Sequence, residues 1–575
     1  MRAANPSHAL ASTVVDELCR AGIEHACVSP GSRSAPLAMA LADAPRVHVH
    51  MVLDERSCSF MAVGIAKALG VPAVVVTTSG TAAANLLPAV VEADHARTPM
   101  VVLTADRPPE LRATGATQTI DQVKLFRDSV RWYAELGPPE EQHDATAYWR
   151  SMAARAVAAA LGPPAGPVHL NVALREPLVP EGEGWPFNLS GRKHRRPWAA
   201  SSRPQQLPAE RDVDDLVGAV NAASRGVLVC GYTSDAGVGP PSALSFAERA
   251  GWPVLAEPTS GLRSGPNAIT TYDALLRCDS FAGAHTPDLV IRAGATGISR
   301  ALEAWLGPEV PQVLVDPDGT WNDPRRAVQR LVRADHEPLF DALSKRVGPA
   351  GDKGWLRSWL DCESRARAAI DAILDADEAP SEPRAARDAA ALLPDGSALV
   401  CAASMPVRDL DWFMGARTGL RVVANRGANG IDGFVSTTLG VARAWPGPVV
   451  ALAGDLSMLH DQNGLLAARD GATNATFVVI NNDGGGVFSF LPQARWHETF
   501  EDLFATPQGV DFGAMAGLYG LRHEQVERAG DLKDALERAR TAGGVNLVEV
   551  RTERAPNVAL HRSLWDAVAR VAGSR

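Results

Sequence analysis

The chain has 575 residues, well beyond the size at which one hydrophobic core stops growing, so three or four domains of roughly 150 to 200 residues are expected. With 21% charged residues, 46% hydrophobic residues and a formal net charge of −10, it has the balance of an ordinary globular protein. That excludes a small disulfide scaffold and argues against a nucleic-acid-coating role.

Seven cysteines, Cys19, Cys27, Cys58, Cys230, Cys278, Cys362 and Cys401, form no C-x-x-C pair. This points to reduced thiols and a cytoplasmic setting, with zinc not expected. The sequence shows neither a basic n-region leading into an apolar stretch nor an uncharged apolar run of 18 residues, so neither export nor membrane spanning is expected.

From residue 7 to about 180, amphipathic helical stretches alternate with Val-rich runs such as AVVVTT (73–78) and MVVLTA (100–105), the pattern of a parallel α/β domain. Residues 181–212 combine Pro, Gly, Ser and clustered Arg without apolar periodicity and read as a linker, with the basic cluster 192–196 solvated. A second α/β unit follows, with strands expected at GVLVCG (226–231), PVLAE (253–257), DLVIRAG (288–294) and QVLVD (312–316). The helical stretch 355–376 then meets the Pro- and charge-rich break DEAPSEPRAARD. Beyond it, strands are expected at ALVCAA (398–403), RVVAN (421–425), PVVALAG (448–454), TFVVINN (476–482) and NLVEV (546–550). The expected fold class is α/β, with three Rossmann-like parallel-sheet domains in series at 1–185, 210–350 and 383–575.

The sharpest chemical signal is a pair of strand ends. PVVALAG runs into Gly454, Asp455, Leu456 and Ser457, and TFVVI runs into Asn481, Asn482, Asp483 and Gly484. Ligands collect at the carboxyl ends of strands in an open parallel sheet, so Asp455 and Asn482, 27 positions apart, can meet at one point. One carboxylate, one amide oxygen and a turn carbonyl suit magnesium, a hard ion usually completed by water and phosphate oxygens, which predicts a diphosphate beside it. The plainer alternative is a Gly-rich turn next to an N-capping Asp455.

Glu55, in VLDERSCSFMAVGIAKALG, sits at a strand-to-helix junction, where the helix dipole alone already favours an acidic residue. His48 and His50 share one face of an alternating stretch and read as a packed or solvated pair. His460 lies near the Asp455 motif, either in the diphosphate neighbourhood or as a local cap.

Seven blocks together carry a resemblance: SPGSRSAPL (29–37), LDER (53–56), TSGTAAANLLPAVVEA (78–93), TADRPPELR (104–112), ANRGANGIDG (424–433), GDLSMLHD (454–461) and NNDGGGVFSFLP (481–492). On these the chain resembles the 2-succinyl-5-enolpyruvyl-6-hydroxy-3-cyclohexene-1-carboxylate (SEPHCHC) synthases of menaquinone biosynthesis, a family of thiamine diphosphate-dependent transferases. The blocks lie in the first and third domains, and the middle domain matches only in general character.

The resemblance implies a pyrimidine-binding first domain, a central domain and a diphosphate-binding third domain. It implies that Asp455, Asn482 and the Gly484 carbonyl hold magnesium, with manganese as a substitute, and that Gly454, Leu456, Ser457 and Val487 surround thiamine diphosphate. Glu55 would face the aminopyrimidine as the catalytic carboxylate, and Ile431 would hold the cofactor bent.

The family's donor, 2-oxoglutarate, and acceptor, isochorismate, each carry two carboxylates, which call for forked cations. Arg33, Arg107, Arg408 and Arg426 fit, each in a loop-like context after an apolar run. Ser32 and Gln118 would add neutral hydrogen bonds, and Phe488 with Val487 and Leu491 would form an apolar wall that excludes water. A surface ion pair for any one Arg, and core packing for Ile431 and the apolar wall, are the alternatives.

Leu456 departs from the wider superfamily, which usually has Gly there, and Arg300 in GISRALEAW is a weaker further cation. The resemblance also implies a cofactor site shared between one subunit's first domain and a partner's third, hence a dimer or a dimer of dimers. Two other readings stay open: another thiamine diphosphate enzyme, such as an acetolactate synthase-like enzyme or a 2-oxo acid decarboxylase with fewer arginines, and a non-catalytic binding protein that retains the fold.

Overall fold

The Val- and Ala-rich runs form strands, and these assemble into three parallel sheets. The computed structural model describes residues 3–182, 184–233, 239–295, 297–348 and 352–573. Internal contacts divide the chain into two units.

The first unit comprises Met1–Pro204, Asn425–Trp445 and His460–Thr473. Its sheet is built from β1 (His25–Val28), β2 (His48–Met51), β3 (Ala73–Thr77), β4 (Met100–Asp106), β5 (Trp132–Leu136) and β6 (Pro167–Ala173), in the order β2-β1-β3-β4-β6-β5. Every residue of β3, β4 and β6 is buried, as expected of central parallel strands covered on both faces.

The helix Glu55–Leu69 follows β2. Asp54 caps it by accepting the Ser57 N–H at 3.0 Å, and it ends at Gly70 with φ +71°. Its small residues admit a close neighbour, the helix Phe434–Ala444. A Cβ at Gly64 would lie 2.1 Å from the Thr437 carbonyl oxygen, and one at Gly440 would lie 2.1 Å from that of Met61.

The start of the expected linker is packed in this unit. Leu189 is buried, its carbonyl accepts Arg150 Nη2 at 2.6 Å, and the Trp185 ring lies 5.3 Å from Trp149. An aromatic-bearing stretch without periodicity therefore docks through single anchors. The cluster 192–196 is exposed, with Arg192 stacked over Trp198 at 4.7 Å.

The second unit comprises Gln205–Ala424, Pro446–Leu459 and Asn474–Arg575. It carries a five-stranded sheet of β7 (Gly226–Cys230), β8 (Val254–Ala256), β9 (Leu289–Ala293), β10 (Gln312–Val315) and β11 (Arg330–Val332), in the order β11-β10-β9-β7-β8. It also carries a six-stranded sheet of β12 (Ser397–Cys401), β13 (Leu420–Ala424), β14 (Val449–Gly454), β15 (Ala475–Asn481), β16 (Arg522–Val526) and β17 (Val545–Arg551). The latter runs β13-β12-β14-β15-β17-β16, the same relative order as the six-stranded sheet of the first unit. In both, the chain order reverses beside the first strand, leaving a crevice at the carboxyl ends.

The Pro-rich break spans only 377–381, because Glu382–Leu392 already forms a helix with Pro383 in its first turn. The seven cysteines are free, six of them buried. Among the described residues no helix is long and apolar enough to cross a membrane.

Candidate functional site

In the second unit, β14 and β15 pair in parallel with Gly454 opposite Ile480, which brings the two flagged strand ends together. Asp455 is buried and joins them. Its Oδ1 accepts the Leu456 N–H at 2.8 Å and its Oδ2 accepts the Gly484 N–H at 2.7 Å. Burial pushes its carboxyl up to about 6, with the two backbone donors pulling the other way.

Asn482 is also buried, and its Nδ2 donates to Glu382 Oε1 at 2.7 Å. Its Oδ1 is buried with no hydrogen-bond partner among the described residues. A bare acceptor in the interior costs about 1–3 kcal/mol and calls for a ligand. Gly484 has φ +144°, and a Cβ there would lie 2.4 Å from the Ala505 carbonyl oxygen. Its own carbonyl takes the Gly486 N–H at 2.9 Å and keeps a second lone pair.

A carboxylate, a bare amide oxygen and a peptide carbonyl fit a hard divalent cation. Among the described residues no cluster of three His, Cys, Asp or Glu side chains could hold a metal, so this mixed oxygen set is the candidate. A cleft of about 850 Å³ opens at the same strand ends, lined by Asn482, Asp483, Ser489, Arg551 and Arg554 among others.

A Cβ at Gly454 would meet nothing within 4 Å, so the β14 end is open. Leu456 is half-buried and Ser457 buried. Val487 packs against the aromatic core that includes Trp412 and Phe413. Phe488 and Leu491 are half-buried, and the Phe488 ring lies 5.9 Å from Phe504. Arg408 corrects the sequence reading. It lies inside the helix Met405–Phe413, not in a loop, because Pro406 starts that helix directly after β12, and its Nη1 donates to the Ser404 carbonyl at 2.5 Å. Arg300 is the exposed first residue of the helix Arg300–Trp305.

In the first unit, Glu55 is the half-buried first residue of its helix. Asp54 does the capping, so the Glu55 carboxylate is not committed to the helix end. Burial pushes the nearby Cys58 thiol up to about 12, with the Glu55 charge adding to it. Ile431 is half-buried in the bend before the helix Phe434–Ala444, in the same unit as Glu55. Arg426, also half-buried, precedes Gly427 and Ala428, whose N–H groups donate to the buried Glu92 carboxylate at 3.1 and 2.7 Å. Lys67 pairs with Glu92 at 3.0 Å. This Lys67–Glu92 anchor escaped the sequence reading because both residues sit inside helices.

Arg33 and Arg107 follow β1 and β4. Arg33 is buried; its Nη1 donates to the Leu174 carbonyl at 2.9 Å and its Nη2 pairs with Glu176 at 3.1 Å. Burial and the neighbouring Arg107 charge hold its pKa below the ordinary value. The Nε atoms of both arginines are buried without a partner among the described residues. Gln118 is exposed with φ +54°, and its Nε2 donates to the Ser79 carbonyl at 3.2 Å, at the turn after β3. Ser32 is exposed in the turn after β1. The His48/His50 face gains His25, whose Nδ1 lies 3.0 Å from His50 Nε2. The His460 carbonyl accepts Arg56 Nη2 at 2.9 Å, across 404 positions of the chain.

Residues 8–125 match the family described as thiamine pyrophosphate enzyme, N-terminal TPP binding domain, and residues 413–550 match the corresponding C-terminal TPP binding domain. The chain is 47% identical to a 2-succinyl-5-enolpyruvyl-6-hydroxy-3-cyclohexene-1-carboxylate synthase of Thermobifida fusca (strain YX), over 98% of this chain and 99% of that protein. Proteins of the same name from Geobacillus kaustophilus (strain HTA426) and Myxococcus xanthus (strain DK1622) are 44% and 43% identical, each over 97% of both chains. With such identity sustained along nearly its whole length, the chain belongs to the 2-succinyl-5-enolpyruvyl-6-hydroxy-3-cyclohexene-1-carboxylate synthase family of thiamine pyrophosphate enzymes.

Proposed function

We propose that this enzyme removes carbon dioxide from 2-oxoglutarate and adds the remaining four-carbon unit, in a 1,4 sense, to the ring of isochorismate, giving SEPHCHC for menaquinone biosynthesis. The observation that carries the substrate reading is the Arg33–Arg107 pair. Two neighbouring guanidinium groups at strand ends, each with a buried Nε that has no partner among the described residues, suit the carboxylates that both substrates bring. Arg408, Arg426, Ser32 and Gln118 complete the proposed polar set, and Phe488, Val487 and Leu491 its water-excluding wall.

Thiamine diphosphate, when bound, supplies the carbon nucleophile and electron sink for decarboxylation. The residues present fit it. Asp455, Asn482 Oδ1 and the Gly484 carbonyl would hold magnesium or manganese against its diphosphate. Gly454, Leu456 and Ser457 would line the open end of β14. Glu55, freed from capping by Asp54, would hold a proton at the pyrimidine ring nitrogen, and Ile431 would pack against the cofactor. We assign domains 1–185, 210–350 and 383–575 to these roles, in a cytoplasmic homodimer or dimer of dimers.

The test is isochorismate consumption by purified protein with magnesium and thiamine diphosphate, run with 2-oxoglutarate, with pyruvate and without donor. The expected result is consumption only with 2-oxoglutarate and both cofactors, with the adduct seen by mass spectrometry. Equal activity with pyruvate, or carbon dioxide release with isochorismate untouched, would leave a thiamine diphosphate enzyme without this substrate assignment.

A further inference from the structure

Behind Asn482 lies a buried polar cluster that no motif announces. Glu382, the first residue of its helix, is buried, and its Oε1 accepts from Asn482 Nδ2 at 2.7 Å and from Thr552 Oγ1 at 3.3 Å. Asp409 and His561 are buried beside it. His561 Nε2 lies 2.8 Å from Asp409 Oδ1 and its Nδ1 lies 2.8 Å from the Asn557 carbonyl. Both ring nitrogens face acceptors, an arrangement that favours the doubly protonated ring beside the two acids.

The consequence for Asn482 is geometric. A primary amide can present either its oxygen or its nitrogen outward, and only the oxygen can ligate a cation. Because Glu382 Oε1 accepts two hydrogen bonds, it holds the amide nitrogen inward. On the other side, a Cβ at Gly486 would lie 2.6 Å from Asn482 Nδ2, so the nitrogen occupies a slot with no room for a side chain at 486. Oδ1 is thereby left buried with no hydrogen-bond partner among the described residues.

We infer that Glu382 is a positioning residue: its carboxylate fixes the Asn482 amide with Oδ1 turned away from Glu382 and so sets the affinity of the site for its divalent cation. The inference rests on the proposed metal site formed by Asp455, Asn482 and Gly484. Outer groups that orient metal ligands typically contribute about 10- to 100-fold in metal affinity.

The test is Mn²⁺ binding to the full chain, with thiamine diphosphate present, followed by electron paramagnetic resonance of free Mn²⁺. Asp455→Ala should abolish binding; if it binds as the parent does, the metal reading fails. Given that loss, Glu382→Leu should raise the Mn²⁺ Kd by about 10- to 100-fold, while Glu382→Gln, which keeps an acceptor oxygen, stays within about threefold. A Glu382→Leu protein that folds and binds within threefold of the parent overturns the positioning role.

Should Glu382→Leu not fold, a reversed hydrogen bond gives a second route. Asn482→Asp sets two carboxylates against each other and should weaken Mn²⁺ binding. Adding Glu382→Gln supplies an N–H donor to Asp and should restore at least tenfold. Absence of that rescue also overturns the inference.

Discussion

The Asp455 carboxylate accepts the Gly484 backbone N–H at 2.7 Å, tying the end of β14 to the turn after β15. Because Oδ1 takes the Leu456 N–H at the same time, one side chain fixes two loops, and neither oxygen can be exchanged for a donor without setting N–H against N–H. Asp455→Asn should therefore abolish magnesium-dependent activity up to millimolar metal while leaving the melting temperature within a few degrees. A magnesium titration of turnover checks this; an unchanged half-saturation point removes Asp455 from the metal set.

Glu55→Gln keeps the helix, since Asp54 supplies the cap, but removes the carboxylate. Thiamine diphosphate binding should stay within a few-fold, while exchange of the thiazolium C2 proton, followed by NMR in deuterated buffer, should slow by at least 100-fold. Exchange at the parental rate would contradict the proposed proton-holding role.

Arg107→Lys keeps a positive charge but loses the planar fork. The expected outcome is a KM about tenfold higher, equivalent to about 1.4 kcal/mol, for one of the two dicarboxylate substrates, with the other within twofold. Two unchanged KM values would place Arg107 outside the pocket.

His169 lies buried in β6 with Nε2 2.7 Å from Thr104 Oγ1 and the Phe126 ring 4.7 Å away. Burial pushes its pKa down from the ordinary value to about 3, so between about pH 6.5 and 3 the unfolded chain binds a proton that the folded chain refuses. Stability is accordingly lost as pH falls through this window, by up to about 1.4 kcal/mol per pH unit from this residue. Denaturant unfolding of the parent and of His169→Gln at pH 7, 6 and 5 should show a shallower loss in the variant. Parallel pH dependences would assign the acid sensitivity elsewhere.

Gly64→Ala drives a Cβ to within 2.1 Å of the Thr437 carbonyl oxygen, and backbone cannot swing aside as a side-chain end can. A loss of about 1–3 kcal/mol is expected, read as a lower melting temperature. Helix propensity alone would favour the alanine by about 1 kcal/mol, so a net loss reports the close approach of the two helices. A Gly64→Ala protein that melts at or above the parental temperature would show that the close helix passage contributes nothing.

Most of the central strands, and the strand ends that carry Asp455 and Asn482, are legible in the sequence for one reason. A parallel strand covered on both faces must be apolar throughout, so PVVALAG and TFVVI stand out, and the residue at the carboxyl end of each strand simply follows next in the chain. The edge strands β5, β11 and β16, only partly buried, carry no such run and were not marked. Arg408 reads as a loop residue from the apolar run before it, whereas Pro406 in the first turn of Met405–Phe413 is the local sign of a helix there.

The sequence by itself determined the α/β class and the family blocks, since each depends on contiguous residues. Only the tertiary structure decided the rest. Glu382 reaches Asn482 across 100 positions, Asp409 reaches His561 across 152, and Glu92 holds Gly427 across 335. No local pattern encodes such partners, because sheet order and helix packing, not chain spacing, set which buried polar groups must satisfy one another.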